Sequence, residues 1–125
     1  MSLIKPGVGE LLDRLTVLDL KVVACQNPDL VTRFKDEHSG ILAIPKLMDA
    51  NLDAYQASLV VEYQNLLADT NATLWRLENE IRRVSNPGNL AAKAKAIITL
   101  NDYRSRLIAA VNEFFGDPTE EKIYR

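Results

Sequence analysis

Residues 55–84 read YQASLVVEYQNLLADTNATLWRLENEIRRV, and this stretch decides the fold. Within it Tyr55, Leu59, Tyr63, Leu66, Thr70, Leu74, Leu77, Ile81 and Val84 recur every three or four residues. That spacing lays one apolar seam along a helix of about eight turns, and a strand, with its period of two, cannot use it. The predicted helix covers about 53–85, roughly 48 Å at 1.5 Å per residue. Its near-3.5 spacing calls for shallow, coiled-coil-like crossing of its neighbours.

On either side the chain punctuates itself. Asn86-Pro87-Gly88-Asn89 reads as a stop and turn. A second long helix is expected over about 90–115, with Leu90, Ile97, Leu100, Leu107, Ile108, Val111, Phe114 and Phe115 on its apolar face. Gly116-Asp117-Pro118 closes it. A short turn between two long helices makes them antiparallel neighbours. Upstream, residues 8–26 carry two stripes. Leu11, Leu15, Leu18, Val22 and Cys25 form one; Val17, Leu20 and Ala24 form the other. A helix apolar on two faces is sandwiched, so this one belongs in the middle of the assembly. Asn27-Pro28-Asp29 marks a short helix over 28–38, ended by Ser39-Gly40. Pro45 makes 40–50 a connector, Pro6 and Gly7 make residues 3–7 an extended lead-in, and Thr119-Glu120-Glu121-Lys122 resembles a further helix start. The expectation is one all-α domain over 1–125, an antiparallel bundle of three main helices and a short fourth.

Composition narrows the function classes. At 125 residues the chain suits one modest core. Its net charge is −2 and its pI near 5.4, which gives no basic excess for nucleic acid or an anionic membrane. Arg82, Arg83, Lys93 and Lys95 lie close in sequence but read as solvated helix ends. One Cys and one His exclude a Cys/His zinc site within a single chain, and Cys25 lies in an apolar run. Glu10-x-x-Asp13 has the spacing of a divalent-cation pair, yet no second such acidic pair accompanies it, and Asp13 lies away from the main leucine stripe. No cofactor or metal is implied. No apolar run approaches a membrane span and no leader is evident, so a cytoplasmic protein is expected.

Two features exceed what a core requires. Val61, Ala68 and Trp75 repeat at seven, roughly opposite the seam, with Ala57 and Ala72 extending the ridge. A tryptophan on a second apolar ridge is an interface candidate, and a homodimer is the commonest symmetric assembly. The competing reading is that the first helix covers the ridge within the monomer. The second feature is Arg104, in the middle of an apolar stripe. A buried guanidinium demands partners. Glu10, Arg14, Glu78, Arg82, Asn101 and Arg104 are therefore expected to form a polar layer, either a register-fixing ion network or a ligand site gripping an anion.

These same residues carry a resemblance. Gly9-Glu10-Leu11-Leu12-Asp13-Arg14-Leu15-Thr16-Val17-Leu18, Leu74-Trp75-Arg76-Leu77-Glu78-Asn79-Glu80-Ile81-Arg82, Leu100-Asn101-Asp102-Tyr103-Arg104, Gly116 and Glu120-Glu121-Lys122-Ile123-Tyr124 resemble an uncharacterised family of small helical bacterial proteins and domains. The likeness covers most of the chain outside 28–56. Arg14 stands where the family has lysine, and Asn79-Glu80 where an acidic pair is usual. The resemblance implies an all-helical fold and a shared pattern at Glu10, Asp13, Trp75, Glu78, Arg82, Asn101, Asp102 and Arg104. It implies no activity, although some members are attached to glycosyltransferase-type enzymes. Two functions follow as expectations. One is a non-catalytic interaction or accessory module that self-associates or docks on a protein partner. The other is a binding site or enzyme for a small anion: a nucleotide, sugar phosphate or carboxylate.

Overall fold

The computed structural model describes residues 7–43 and 52–117, and these form four helices with no strand. They are α1 (Val8–Ala24), α2 (Pro28–Leu42), α3 (Ala54–Ile81) and α4 (Pro87–Phe115). The lead-in before Gly7, most of the connector around Pro45 and the tail from Thr119 lie outside the described residues.

Helix α1 is the hub. It packs against each of the other three, α3 and α4 pack along each other, and α2 rests on α1 alone. Val8, Leu12, Leu15 and Leu18 are all but fully buried, joined by Leu67, Leu107 and Val111 from the long helices and Ile41 from α2. Because residues 82–86 alone separate α3 from α4, those two run antiparallel. Contacts of residues 9 and 13 with residues 112 and 104 make α1 antiparallel to α4, and hence aligned with α3.

Four boundaries differ from expectation, each for a local reason. Ser39-Gly40 does not end α2; the helix continues to Leu42, burying Ile41 in the core. Helix α3 stops at Ile81, three or four residues early, and α4 starts at Pro87, three residues before Leu90. Asn86 is an N-cap: its side chain accepts from Gly88 N at 2.8 Å and Asn89 N at 3.2 Å, with Pro87 at the first helical position. Asn27-Pro28 repeats the device, accepting from Asp29 N and Leu30 N. Helix α1 ends two residues short of Gln26, leaving Cys25 half-buried at its C-cap.

The seam on α3 holds at Thr70, Leu74 and Leu77, which are buried together with Leu67 and Asn71 beside them, whereas Tyr55 is 72% exposed. Helix α3 has 28 residues against 17 in α1, so its first turns run past the end of the hub and lose their cover. On α4, Leu90 and Phe114 are exposed, with Leu107 and Val111 carrying the core. Asp53 closes a capping box with Gln56 at the α3 start, each accepting the other's backbone N–H.

Near the α3–α4 turn, Glu80 accepts from Lys93 Nζ at 2.6 Å and from Arg76 Nη1 at 2.7 Å. The Lys93 bond first, and the Arg76 bond second, hold the Glu80 carboxyl below the usual carboxylate range. A carboxyl lowered on folding stabilises the fold above its unfolded pKa, and that contribution is lost as pH falls through the folded value. Between about pH 7 and about pH 3 the urea midpoint of Glu80→Gln should therefore fall less than that of the parent protein. Equal losses would show that this exposed clasp contributes nothing.

Candidate functional site

The polar residues gather at two levels along α1. The deeper level centres on Asp13, whose side chain is buried. Arg104 of α4 grips it in a two-pronged pair, Nε to Oδ1 at 2.8 Å and Nη2 to Oδ2. Asn71 of α3 donates from Nδ2 to Asp13 Oδ1 at 2.8 Å and to Thr16 Oγ1 at 2.7 Å. Thr16 in turn donates to the Asp13 carbonyl at 2.8 Å. One carboxylate thus binds α1 to both long helices. The Asp13 hydrogen bond, followed by its charge and that of Glu78, raises the pKa of Arg104 above its ordinary value, so the guanidinium is permanently charged.

Because a carboxylate only accepts, the Asn71 amide nitrogen must face Asp13. Its Oδ1 then points elsewhere, and no described group donates to it. Every side-chain N or O sealed from solvent in the described residues has a partner, so solvent reaches this oxygen. Asn71 is only 4% exposed, and it lines a cavity of about 230 Å³ that opens beside the pair. Lys21, Glu78 and Arg104 supply the rest of that cavity's polar wall. Val17, Leu20, Leu74 and Trp75 supply the apolar wall.

The second level caps the start of α1. Gly7 is the N-cap and has no side chain to offer. Residues from the far end of α4 serve instead: Asn112 Oδ1 accepts from Gly9 N at 2.7 Å, and Asp117 Oδ2 accepts from Val8 N at 3.0 Å. Asn112 Nδ2 donates to Glu10 Oε1 at 2.7 Å, and Asn112 is fully buried. Helices α1 and α4 can approach this closely because residue 9 lacks a Cβ.

The six residues expected in one layer are therefore dispersed. Only Arg104 and Glu78 meet, at the cavity wall. Glu10 belongs to the capping level. Arg14 pairs outward with Glu37 of α2, Nε to Oε2 at 2.7 Å and Nη2 to Oε1 at 3.0 Å. That bond raises the Arg14 pKa and lowers that of Glu37. Arg82 is the exposed C-cap of α3 and Asn101 is exposed on α4, so neither joins the pair. Asp13, placed on the outward side by its offset from the leucine stripe, is the centre of the network. It sits four residues before Val17 and seven before Leu20, on the second apolar stripe, and that register was the signal for its burial. Glu10 and Asp13 face different partners and do not form a cation pair.

The expected ridge divides. Val61 is 56% exposed, whereas Ala68 and Trp75 are half-buried. Trp75 lines both the cavity beside Arg104 and a second one of about 270 Å³ with Ala24, Cys25 and Phe34. The hub helix therefore covers part of this ridge. No helix among the described residues is long and apolar enough to cross a membrane. No family model, no curated protein and no solved structure matches this chain.

Proposed function

We propose that this chain is a non-catalytic helical interaction module that pairs with a second copy of itself and serves as an accessory to a protein partner. The observation that carries this reading is the open face of α3. Val61 is a large aliphatic side chain more than half exposed, flanked on that face by the exposed alanines Ala57 and Ala72. Small residues beside a branched aliphatic let another helix pack at short interaxial distance. Asp13, the most buried carboxylate among the described residues, is spent on Arg104 and Asn71, which suits a fastener between helices better than a proton-transfer group.

Val61→Arg is the discriminating variant, because Val61 contributes little to the core and the substitution should leave the helix content intact. Sedimentation equilibrium should give a dimer for the parent protein and a monomer for Val61→Arg, with matching circular dichroism. A parent protein that sediments as a monomer over the accessible concentration range removes the self-association. An unchanged dimer in the variant moves the interface elsewhere.

A further inference from the structure

We infer that the cavity beside the Asp13–Arg104 pair is a binding site for a small zwitterion with an apolar side chain, the chemistry of a free aliphatic amino acid. The site does not depend on self-association through Val61.

The polar wall offers both signs. Arg104 commits Nε and Nη2 to Asp13, and its Nη1 donates to no described group. Lys21 lies 5.4 Å from the Phe34 ring centroid and has no hydrogen-bonded acid among the described residues. These two cations can receive a carboxylate. The same lining holds two acceptors, the exposed Glu78 carboxylate and Asn71 Oδ1, which can receive an ammonium group.

Charge balance selects the ligand. Lys21 and Arg104 are offset by Asp13 and Glu78, and Glu37, whose charge Lys21 also reaches, is paired with Arg14, so the site is neutral as a whole. A phosphate dianion would gain from the cations but meet Glu78 and the Asp13 charge behind Arg104. A zwitterion satisfies all four groups without adding net charge. Size agrees: about 230 Å³ holds roughly the volume of eight water molecules, the scale of one amino acid. Its apolar part has a continuation. The second cavity shares Lys21 and Trp75 as walls and adds Ala24, Cys25 and Phe34, so the Lys21 ammonium over the Phe34 ring stands where the two meet and the remaining lining suits an aliphatic side chain.

Trp75 is the single tryptophan of the chain and a wall of both cavities, so its emission reports on a ligand held there. Titration with L-leucine should give a saturable change in Trp75 fluorescence. N-acetyl-leucine, leucinamide and inorganic phosphate, each lacking one half of the charge pattern, should give at least tenfold weaker responses. Glu78→Gln and Lys21→Met, checked by circular dichroism to be folded, should each weaken L-leucine binding tenfold or more. No saturation up to about 10 mM L-leucine would overturn the inference. So would an equal response to phosphate or to the capped derivatives, or full binding by both folded variants.

Discussion

Replacing Asp13 by alanine is expected to cost about 3 kcal/mol of stability, the low end for breaking a buried pair, because Arg104 keeps some solvent contact. For a chain of this size that corresponds to a fall in the thermal midpoint of about 10 °C. The cost has three sources. Arg104 loses a two-pronged partner while most of its guanidinium stays covered. Asn71 Nδ2 loses one of its two acceptors. A small void opens between three helices. The pair as a whole is a weaker stabiliser than its removal suggests, since replacing both charges by apolar groups also relieves their desolvation. Asp13→Ala combined with Arg104→Met should accordingly recover at least half of the loss in a double-mutant cycle. A single-variant cost below about 1 kcal/mol would show that the surrounding helices relax around the unpaired arginine.

Gly9→Ala should be as damaging, for a steric reason. A Cβ at residue 9 would lie 2.3 Å from the Ile108 carbonyl oxygen and 2.9 Å from Asn112 Oδ1. The first of these is backbone within α4 and cannot swing aside, so the two helices must separate, taking the Gly9–Asn112 bond with them. A loss of about 3 kcal/mol is expected, at the upper end for overpacking. The same change at Gly40 provides the control. Nothing lies within 4 Å of a Cβ there, and the residue is inside α2. Gly40→Ala should stabilise by about 0.5 kcal/mol through the unfolded chain. Chemical denaturation of the two variants side by side checks both signs. A Gly9→Ala protein as stable as the parent would mean that the α1–α4 contact is not tight.

Much of this architecture is legible before any coordinates. The heptad spacing of 55–84 and the two stripes of 8–26 foretell an all-helical bundle with the first helix inside it, and Arg104 announces itself by interrupting an apolar stripe. The misread places have physical causes. Asn86-Pro87 uses the same cap as Asn27-Pro28, but the glycine after it suggests a turn, when that glycine's amide is one of the two the cap holds. Asp13 is obscured because polarity argues for exposure, although its register puts it on a buried stripe. Gly9 and Asn112 are invisible in one dimension. Their meaning arises only when α4 returns antiparallel to α1 and brings an amide oxygen to an uncapped helix start. The dispersal of Glu10, Arg14, Arg82 and Asn101 has the same origin, since helix phase fixes a face but not which neighbour occupies it.

The remote capping of α1 also constrains the route by which the chain assembles. The bonds that fasten this helix to α4 and to Asp117 beyond it join positions 91 to 109 apart, whereas α3 and α4 meet across a five-residue turn, residues 82–86. Closing the long loop is entropically dear until many contacts reward it together. During synthesis the hub must therefore wait, without its caps or its arginine, until the last turns of α4 have left the ribosome. Refolding should form the α3–α4 hairpin first and recruit α1, with α2 riding on it, in the final step. Pulse-labelled hydrogen exchange would then show α1 amides protected after those of α3 and α4, and the reverse order would place the nucleus at the other end of the chain.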